Sequence, residues 1–259
     1  MTEIDEALDW QGQPLDCGCC SYDHLRAAGR CQLRRACVHD RYARRIDRFF
    51  SWNRGLAGDY LDHPYFEVRA VAAKYVDIFR LPRLLDDPDE TVRFSAVMRL
   101  PRRYLLNRRE DSDREVRIRV AYRLAGKDLA DMRRDPDYYV RLVVARRLPP
   151  EMLPSMVNDV DRAVRAEVAR RIGTEWLGRM CADEEADVRL EVAQRLTGGA
   201  LDQLRGDSDW RVRYAVAERA GKDVLTQMQD DSDETVREIV QSRLRPEATV
   251  NQQWSEGGV

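Results

Sequence analysis

Apolar and charged positions return along this chain with a period of 24 residues. In DPDETVRFSAVMRL, from Asp87 to Leu100, the apolar places Val92, Ala96, Val97 and Leu100 fall on one face of a helix. The pattern returns as DSDREVRIRVAYRL from Asp111 and as DPDYYVRLVVARRL from Asp135. The Val-Arg pairs of the eight copies begin at Val68, Val92, Val116, Val140, Val164, Val188, Val212 and Val236, without an insertion. Self-similarity at one fixed period of this size predicts a solenoid.

Each copy carries helix punctuation. In the copy at Asp87, that residue reads as the N-cap, Pro88 as the first helical position, and Glu90 as the closing member of a capping box. Pro101 reads as the stop, and Gly126, Pro149, Gly173, Gly198 and Gly221 stand near the same place in other copies. The rest of each copy holds a second apolar pair, such as Leu129 with Met132, Leu153 with Met156, Leu177 with Met180, and Leu225 with Met228. That segment is too short for two α-turns plus connections, so a short 3-10 turn is expected. No stretch alternates with period two, so the fold class is all-α without sheet. Ala73, Ala121, Ala145, Ala169, Ala193 and Ala217 are small enough to let neighbouring helices approach. In the last copy Glu238 and Gln241 replace mostly apolar residues, as a terminal cap would. The chain divides into an N-terminal segment 1–60, a repeat region 61–245 and a loose tail 246–259.

An Arg follows the Val of every copy, from Arg69 to Arg237, and an acid stands four residues before it in all but the first. That order favours an i,i+4 pair worth a few tenths of a kcal/mol. A second Arg column runs through Arg99, Arg123, Arg147, Arg171, Arg195, Arg219 and Arg243. The two columns read either as a ladder tying acids and carbonyls between layers or as a basic stripe for a polyanion. The balancing acids favour the ladder. Charged residues make up 35% of the chain, yet the formal net charge is only -2. Such interleaving suits paired surface charges rather than one sweeping field.

The first 60 residues follow other rules. Five of the six cysteines lie between Cys17 and Cys37. MTEIDEALDWQGQP has no basic start and no apolar run, and no stretch reaches the length of a membrane span. The expectation is a cytoplasmic protein whose thiols stay reduced. Crowded cysteines then read as ligands for soft metals. Cys17 and Cys20 form a C-x-x-C, and Cys31 and Cys37 would close a four-thiolate site from a following helix. Cys19 is then the spare, and also the substitute should Cys17 or Cys20 not ligate. Spacing alone fits an iron–sulfur cluster and zinc equally, with His24 and His39 as further zinc ligands. Arg26, Arg30, Arg34, Arg35, Arg41, Arg44, Arg45 and Arg48 crowd the segment and would suit an anionic cluster. Tyr42, Ile46, Phe49, Phe50, Asn53 and Leu56 recur at helical spacing, with Gly55 and Gly58 as stops. This bulky face is expected to seal one end of the repeats. His63, Tyr65, Phe66 and Tyr75 replace polar residues of the repeat in its first copy, as if something packs on them.

The D-x-D-x-x-V-R-x-x-V-A-x-R-L unit resembles the leucine-rich repeat variant family over residues 61–245. The resemblance implies α- and 3-10 helices alternating in a right-handed superhelix. Some members of that family carry an N-terminal cysteine-rich segment that binds a [4Fe–4S] cluster, and Cys17, Cys20, Cys31 and Cys37 look like its ligands. The resemblance thus favours one [4Fe–4S] cluster over zinc. The family implies no settled activity. The chain shows no Gly-rich phosphate loop, no nucleophile elbow and only three histidines, His24, His39 and His63. Cys181 reads as a small core residue. An enzyme is therefore not expected, beyond electron transfer through the cluster. The leading expectation is a redox-linked scaffold that binds a protein partner on the repeat surface. The alternative is a solenoid gripping nucleic acid with its Arg columns and carrying a structural cluster. No membrane partner is expected.

Overall fold

The computed structural model describes residues 6–245, and the expected loose tail at 246–259 lies outside them. The described residues are helical and contain no strand, only two isolated bridges, Leu8 with Pro14 and Gln32 with Ala36. The chain forms two compact units, Met1–Arg147 and Leu148–Val259.

In the first unit, helix α1 spans Asp23–Ala27 and α2 spans Ala43–Trp52. The repeat helices follow as α3 Phe66–Tyr75, α4 Glu90–Arg99 and α5 Arg114–Arg123, with a further one at Tyr138–Arg147. Their apolar stripes make the core. Val92, Ala96, Val97 and Leu100 are fully buried, as are Val116, Val120, Ala121 and Leu124. The second unit repeats this with Val164, Val168, Ala169 and Ile172, and with Val188, Val192 and Ala193. Glu238 and Gln241 are exposed, as a terminal face should be.

The second segment of each copy is less uniform than expected. It is a 3-10 helix at Pro82–Asp86 and Pro150–Met156, but opens as an α-turn at Gly126–Ala130 and Thr174–Leu177 before tightening. At Lys222–Gln227 it is α-helical. The apolar pairs are buried in either form: Leu153 and Met156, Leu177 and Met180, Leu225 and Met228. The glycines belong to this second segment rather than to the end of the first. Gly173, Gly198 and Gly221 are N-caps, and Gly126 and Gly198 adopt positive φ.

The expected cap is displaced by two residues. Helix α4 begins at Glu90, and Asp89 caps it by accepting the N–H of Thr91 at 2.9 Å. Asp113, Asp161 and Asp233 do the same for their helices. Glu90 is therefore the first helical residue and closes no capping box. The second Asp of D-x-D is spent on the cap, which each time contributes about 1 kcal/mol.

The first Asp serves the preceding copy. The Asp87 carboxylate accepts both Nε and Nη2 of Arg69 at 2.8 Å, and its Oδ1 takes the N–H of Asp89 at 2.9 Å. The same fork joins Arg93 to Asp111 and Arg117 to Asp135 in the first unit. In the second it joins Arg165 to Asp183, Arg189 to Asp207 and Arg213 to Asp231. The expected i,i+4 pairing with the acid four residues earlier is thus replaced by a pair reaching 18 residues ahead. Each of these arginines also donates Nη1 to the carbonyl six residues behind it, as Arg93 does to Asp87 at 2.9 Å. The other column reaches backwards to the end of the previous helix. Arg99 donates to Ala73 and Val76, Arg123 to Leu100, Arg195 to Ala169, Arg219 to Ala193, and Arg243 to Ala217 and Ala220. Carbonyls at a helix C-terminus lack intrahelical donors, so guanidinium groups both satisfy them and oppose the helix dipole.

The ladder gives the fold an acid limit. Bonds from Arg213 hold the Asp231 carboxyl below the usual carboxylate range. For Asp87 and Asp207 burial pushes upward, but the Arg69 and Arg189 bonds together with a backbone N–H outweigh it, and both lie low. A carboxyl whose pKa is depressed on folding adds stability that is complete above its unfolded value, about 3.9 for Asp. That stability is lost as pH falls through the lower folded value. The urea midpoint, followed by circular dichroism, is expected to stay level down to about pH 5 and to drop below about pH 4.

Candidate metal centre

The N-terminal segment joins a run of tight turns to a small apolar core in which Ile46, Phe49 and Phe50 are fully buried. Residues 7–15 double back, with Leu15 N–H on the Ala7 carbonyl at 2.9 Å and Asp9 Oδ1 accepting the N–H groups of Gln11 and Gln13. Asp16 Oδ1 takes the N–H of Gly18 at 2.7 Å, which turns the chain at once after Cys17. Cys20 N–H then points back to the Cys17 carbonyl, and Tyr22 N–H donates to Cys20 Sγ at 3.5 Å. After α1 the chain turns at Gly29, where φ is +68°. The Gln32–Ala36 bridge closes a loop with Arg34 at its tip, in the left-handed region. Cys31 and Cys37 flank that loop, and each shifts the pKa of the other. They stand on neither helix, contrary to expectation, because the bridged loop brings them together without one.

Four hydrogen bonds fix these two cysteines. Cys37 N–H donates to the Arg45 carbonyl on α2. The Arg45 guanidinium bonds to Asp40 at 2.9 Å and to the Glu6 carbonyl at 2.6 Å, and Asp40 is fully buried. Asn53, 1% exposed, donates to the carbonyl of Arg30 next to Cys31 at 2.8 Å. Asn53 was visible in the sequence as a polar residue on an otherwise apolar helical stripe. The Asp40–Arg45 pair was not, because both look like surface charges until the chain folds around them. Likewise Gly55 and Gly58 do not stop a helix. Helix α2 ends at Trp52, and both glycines lie inside the 3-10 helix Arg54–Tyr60.

All five cysteines line one cavity of about 430 Å³, together with Asp9, Trp10, Asp16, Leu33, His39 and His63. Cys31 and Cys37 are buried, Cys17 and Cys20 half-buried, and Cys19 exposed. Cys37 lowers the pKa of Cys31, while Cys31 and burial raise that of Cys37. Burial, with the nearby Cys37, raises Cys17. Among the described residues no three His, Cys, Asp or Glu side chains converge on the position of a single metal ion. The sulfurs are spread around a cavity with room for several atoms, and an all-sulfur donor set suits iron–sulfur chemistry. His39 lines the cavity, and burial lowers its pKa; His24 is exposed beside the Tyr22 ring.

Of the eight arginines from Arg26 to Arg48, Arg26 lies close enough for its charge to oppose the rise at Cys17 and to add to the lowering at Cys31. Arg41, Arg45 and Arg48 are turned to Glu6, Asp40 and the Arg35 carbonyl. The segment does cover the first repeat. Trp10 stacks on Tyr65 with centroids 5.8 Å apart, Tyr65 donates its hydroxyl to the Arg41 carbonyl, and Phe50 meets Tyr75 at 6.3 Å. The Tyr60 and Tyr22 hydroxyls, 2.7 Å apart, join the 3-10 helix to the cysteine turn. Cys181 stands apart, half-buried, with its pKa raised by burial.

These features define a helical-repeat protein with a cysteine-lined N-terminal segment. Residues 7–59 match the family described as LRV protein FeS4 cluster. A solved structure described as a leucine-rich repeat variant with a novel repetitive structural motif is 44% identical, with a TM-score of 0.85 over 89% of this chain and 99% of that one. The chain belongs to the leucine-rich repeat variant family, and its fold is the repeat solenoid of that family. A relative from Rhodobacter capsulatus, described as an uncharacterized 27.7 kDa protein in the nifB 3' region, is 54% identical over 101 residues. That match spans 39% of this chain and 41% of the relative's length. The comparisons place an iron–sulfur segment at the N-terminus. No helix among the described residues is long and apolar enough to cross a membrane. Nothing in the fold or the comparisons points to nucleic-acid binding, since the arginines that would have formed a basic stripe are engaged in the ladder.

Proposed function

We propose that Cys17, Cys20, Cys31 and Cys37 hold one [4Fe–4S] cluster, with Cys19 outside the ligand set, and that the chain is a redox-linked scaffold for a protein partner. The observation that carries this reading is that five cysteines line one cavity within a segment that matches an iron–sulfur family. The C-x-x-C spacing favours Cys17 and Cys20, and the exposure of Cys19 suits a residue left over. Such a cluster supplies one-electron chemistry. The protein's part is to position sulfur and limit water. Asn53, Arg45 and Asp40 hold the loop of Cys31 and Cys37, and Trp10 and Leu33 help to wall the cavity. The Tyr22 N–H on Cys20 Sγ would withdraw charge from that sulfur were it a ligand, and so would favour the reduced state of a bound cluster. The scaffold half of the proposal rests on the repeat surface, since elongated repeats serve as binding faces.

Anaerobic purification with iron and sulfide analysis tests the cofactor. About four iron and four sulfide per chain, with an electron paramagnetic resonance signal on reduction, is the expected result. Stoichiometric zinc without sulfide would refute it.

A further inference from the structure

One face of the first unit departs from the chemistry of the repeats. At the third place after the repeat's Val, the copies carry Val71, Ser95, Arg119, Val143, Glu167, Glu191, Ala215 and Ile239. Arg119 is the single arginine of that column, so it belongs to neither ladder. Its guanidinium lies 5.0 Å from the centroid of the Phe94 ring and 5.9 Å from that of Tyr122. Its Nε is buried without a hydrogen-bond partner. No carboxylate among the described residues pairs with it. In the second unit the same column is neutralised within the fold, because Arg170 bonds to both Glu167 and Glu191.

The two helices that carry Phe94 and Arg119 also expose apolar side chains. Met98 and Tyr122 are 44% and 39% exposed, although they sit beside a fully formed core. Aromatic rings, methionine and arginine are the residues enriched where proteins meet, and a cluster of them with one desolvated cation is the composition of an interface hot spot. A guanidinium stacked on rings is already oriented, so less rotamer entropy is lost when it takes an acceptor. Its partly desolvated charge attracts a carboxylate more strongly than a hydrated one would.

We propose that the face formed by Phe94 and Met98 of α4 with Arg119 and Tyr122 of α5 docks a segment of a protein partner that combines an acidic side chain with an apolar one. The carboxylate sits on the terminal nitrogens of Arg119, and the apolar side chain covers Met98 and the Tyr122 ring. This names the partner chemistry for the scaffold reading and rests on that reading only for the existence of a partner. It is independent of what the cysteines hold.

The test uses a phage-displayed library of random dodecamers selected against the full cluster-loaded chain. Selected peptides are expected to pair Asp or Glu with a neighbouring aliphatic or aromatic residue. A synthetic copy of the best binder, followed by fluorescence anisotropy, is expected to bind Arg119→Gln and Tyr122→Ser at least tenfold more weakly than the unaltered chain. Arg119→Lys should recover part of the affinity. Circular dichroism and visible absorption of the same samples separate a lost fold or a lost cluster from a lost docking face. Library output without acids, no enrichment at all, or equal affinity for a correctly folded Arg119→Gln variant would each overturn the proposal.

Discussion

Exchange of Arg165 for Met is expected to lower stability by about 3 kcal/mol, the cost of stripping one partner from a buried ion pair. Arg165 is 6% exposed and makes bonds in three directions. Nε and Nη2 fork onto Asp183 at 2.7 and 3.0 Å, Nη2 also meets Glu184, and Nη1 reaches the Asp159 carbonyl at 2.9 Å. Methionine fills part of the volume but donates nothing, so a shielded carboxylate and a carbonyl lose their donors at once. Asp183 keeps the N–H of Glu185, which holds the cost near that figure rather than above it. Arg162 supplies the control. Its pair with Glu185 spans 3.7 Å, with its own side chain 67% exposed, so Arg162→Met should change stability by only about 0.5 kcal/mol or less. Urea unfolding followed by circular dichroism measures both. Equal losses would mean that burial of the fork contributes nothing. Visible absorption should be unchanged in either variant, since both residues belong to the second unit and the five clustered cysteines to the first.

Loss of the broad thiolate-to-iron absorption is the expected outcome of Ser replacement at Cys17, Cys20, Cys31 or Cys37, and its retention that of Cys19→Ser. Serine preserves the shape but offers a hard oxygen to a soft metal. The effect should be greatest at Cys31 and Cys37, which are buried on a bridged loop. No other thiol on that loop can take their place. Cys17 and Cys20 lie on a more open turn, where Cys19 is close enough to substitute. A partial spectrum in Cys20→Ser is therefore readable as rescue by Cys19, and the double replacement of both removes that route. An intact spectrum in Cys20→Ser combined with a lost one in Cys19→Ser would exchange the roles of these two residues.

The helices and their buried faces were legible because the period of 24 repeats one local pattern eight times. What escaped was which acid does which task. Asp87 and Asp89 both have the chemistry of a cap, and Pro88 marks the wrong one, since the deciding partner of Asp87 is Arg69 in the preceding copy. That choice is non-local, and a window of sequence one helix long does not contain it. The cysteine cluster could be located from composition alone. The supports of Cys31 and Cys37 could not, because Arg45, Asp40 and Asn53 act through backbone groups whose approach depends on the turn after Gly29. Basic crowding around the cysteines was misleading for a related reason: charges adjacent along the chain were turned to other partners by the fold.

Arg69, Arg93 and Arg117 use the same atoms on the same acceptors, and so do Arg165, Arg189 and Arg213. Each module thus carries a plug for the module after it and a socket for the one before, both of standard pattern. Duplication or deletion of a whole 24-residue module leaves every remaining joint chemically unchanged, while a gain or loss of one residue misaligns two joints together. Genes encoding such chains can change length in whole modules by unequal recombination, and selection then removes the out-of-step products. The unbroken spacing from Val68 to Val236 is the trace such a filter leaves.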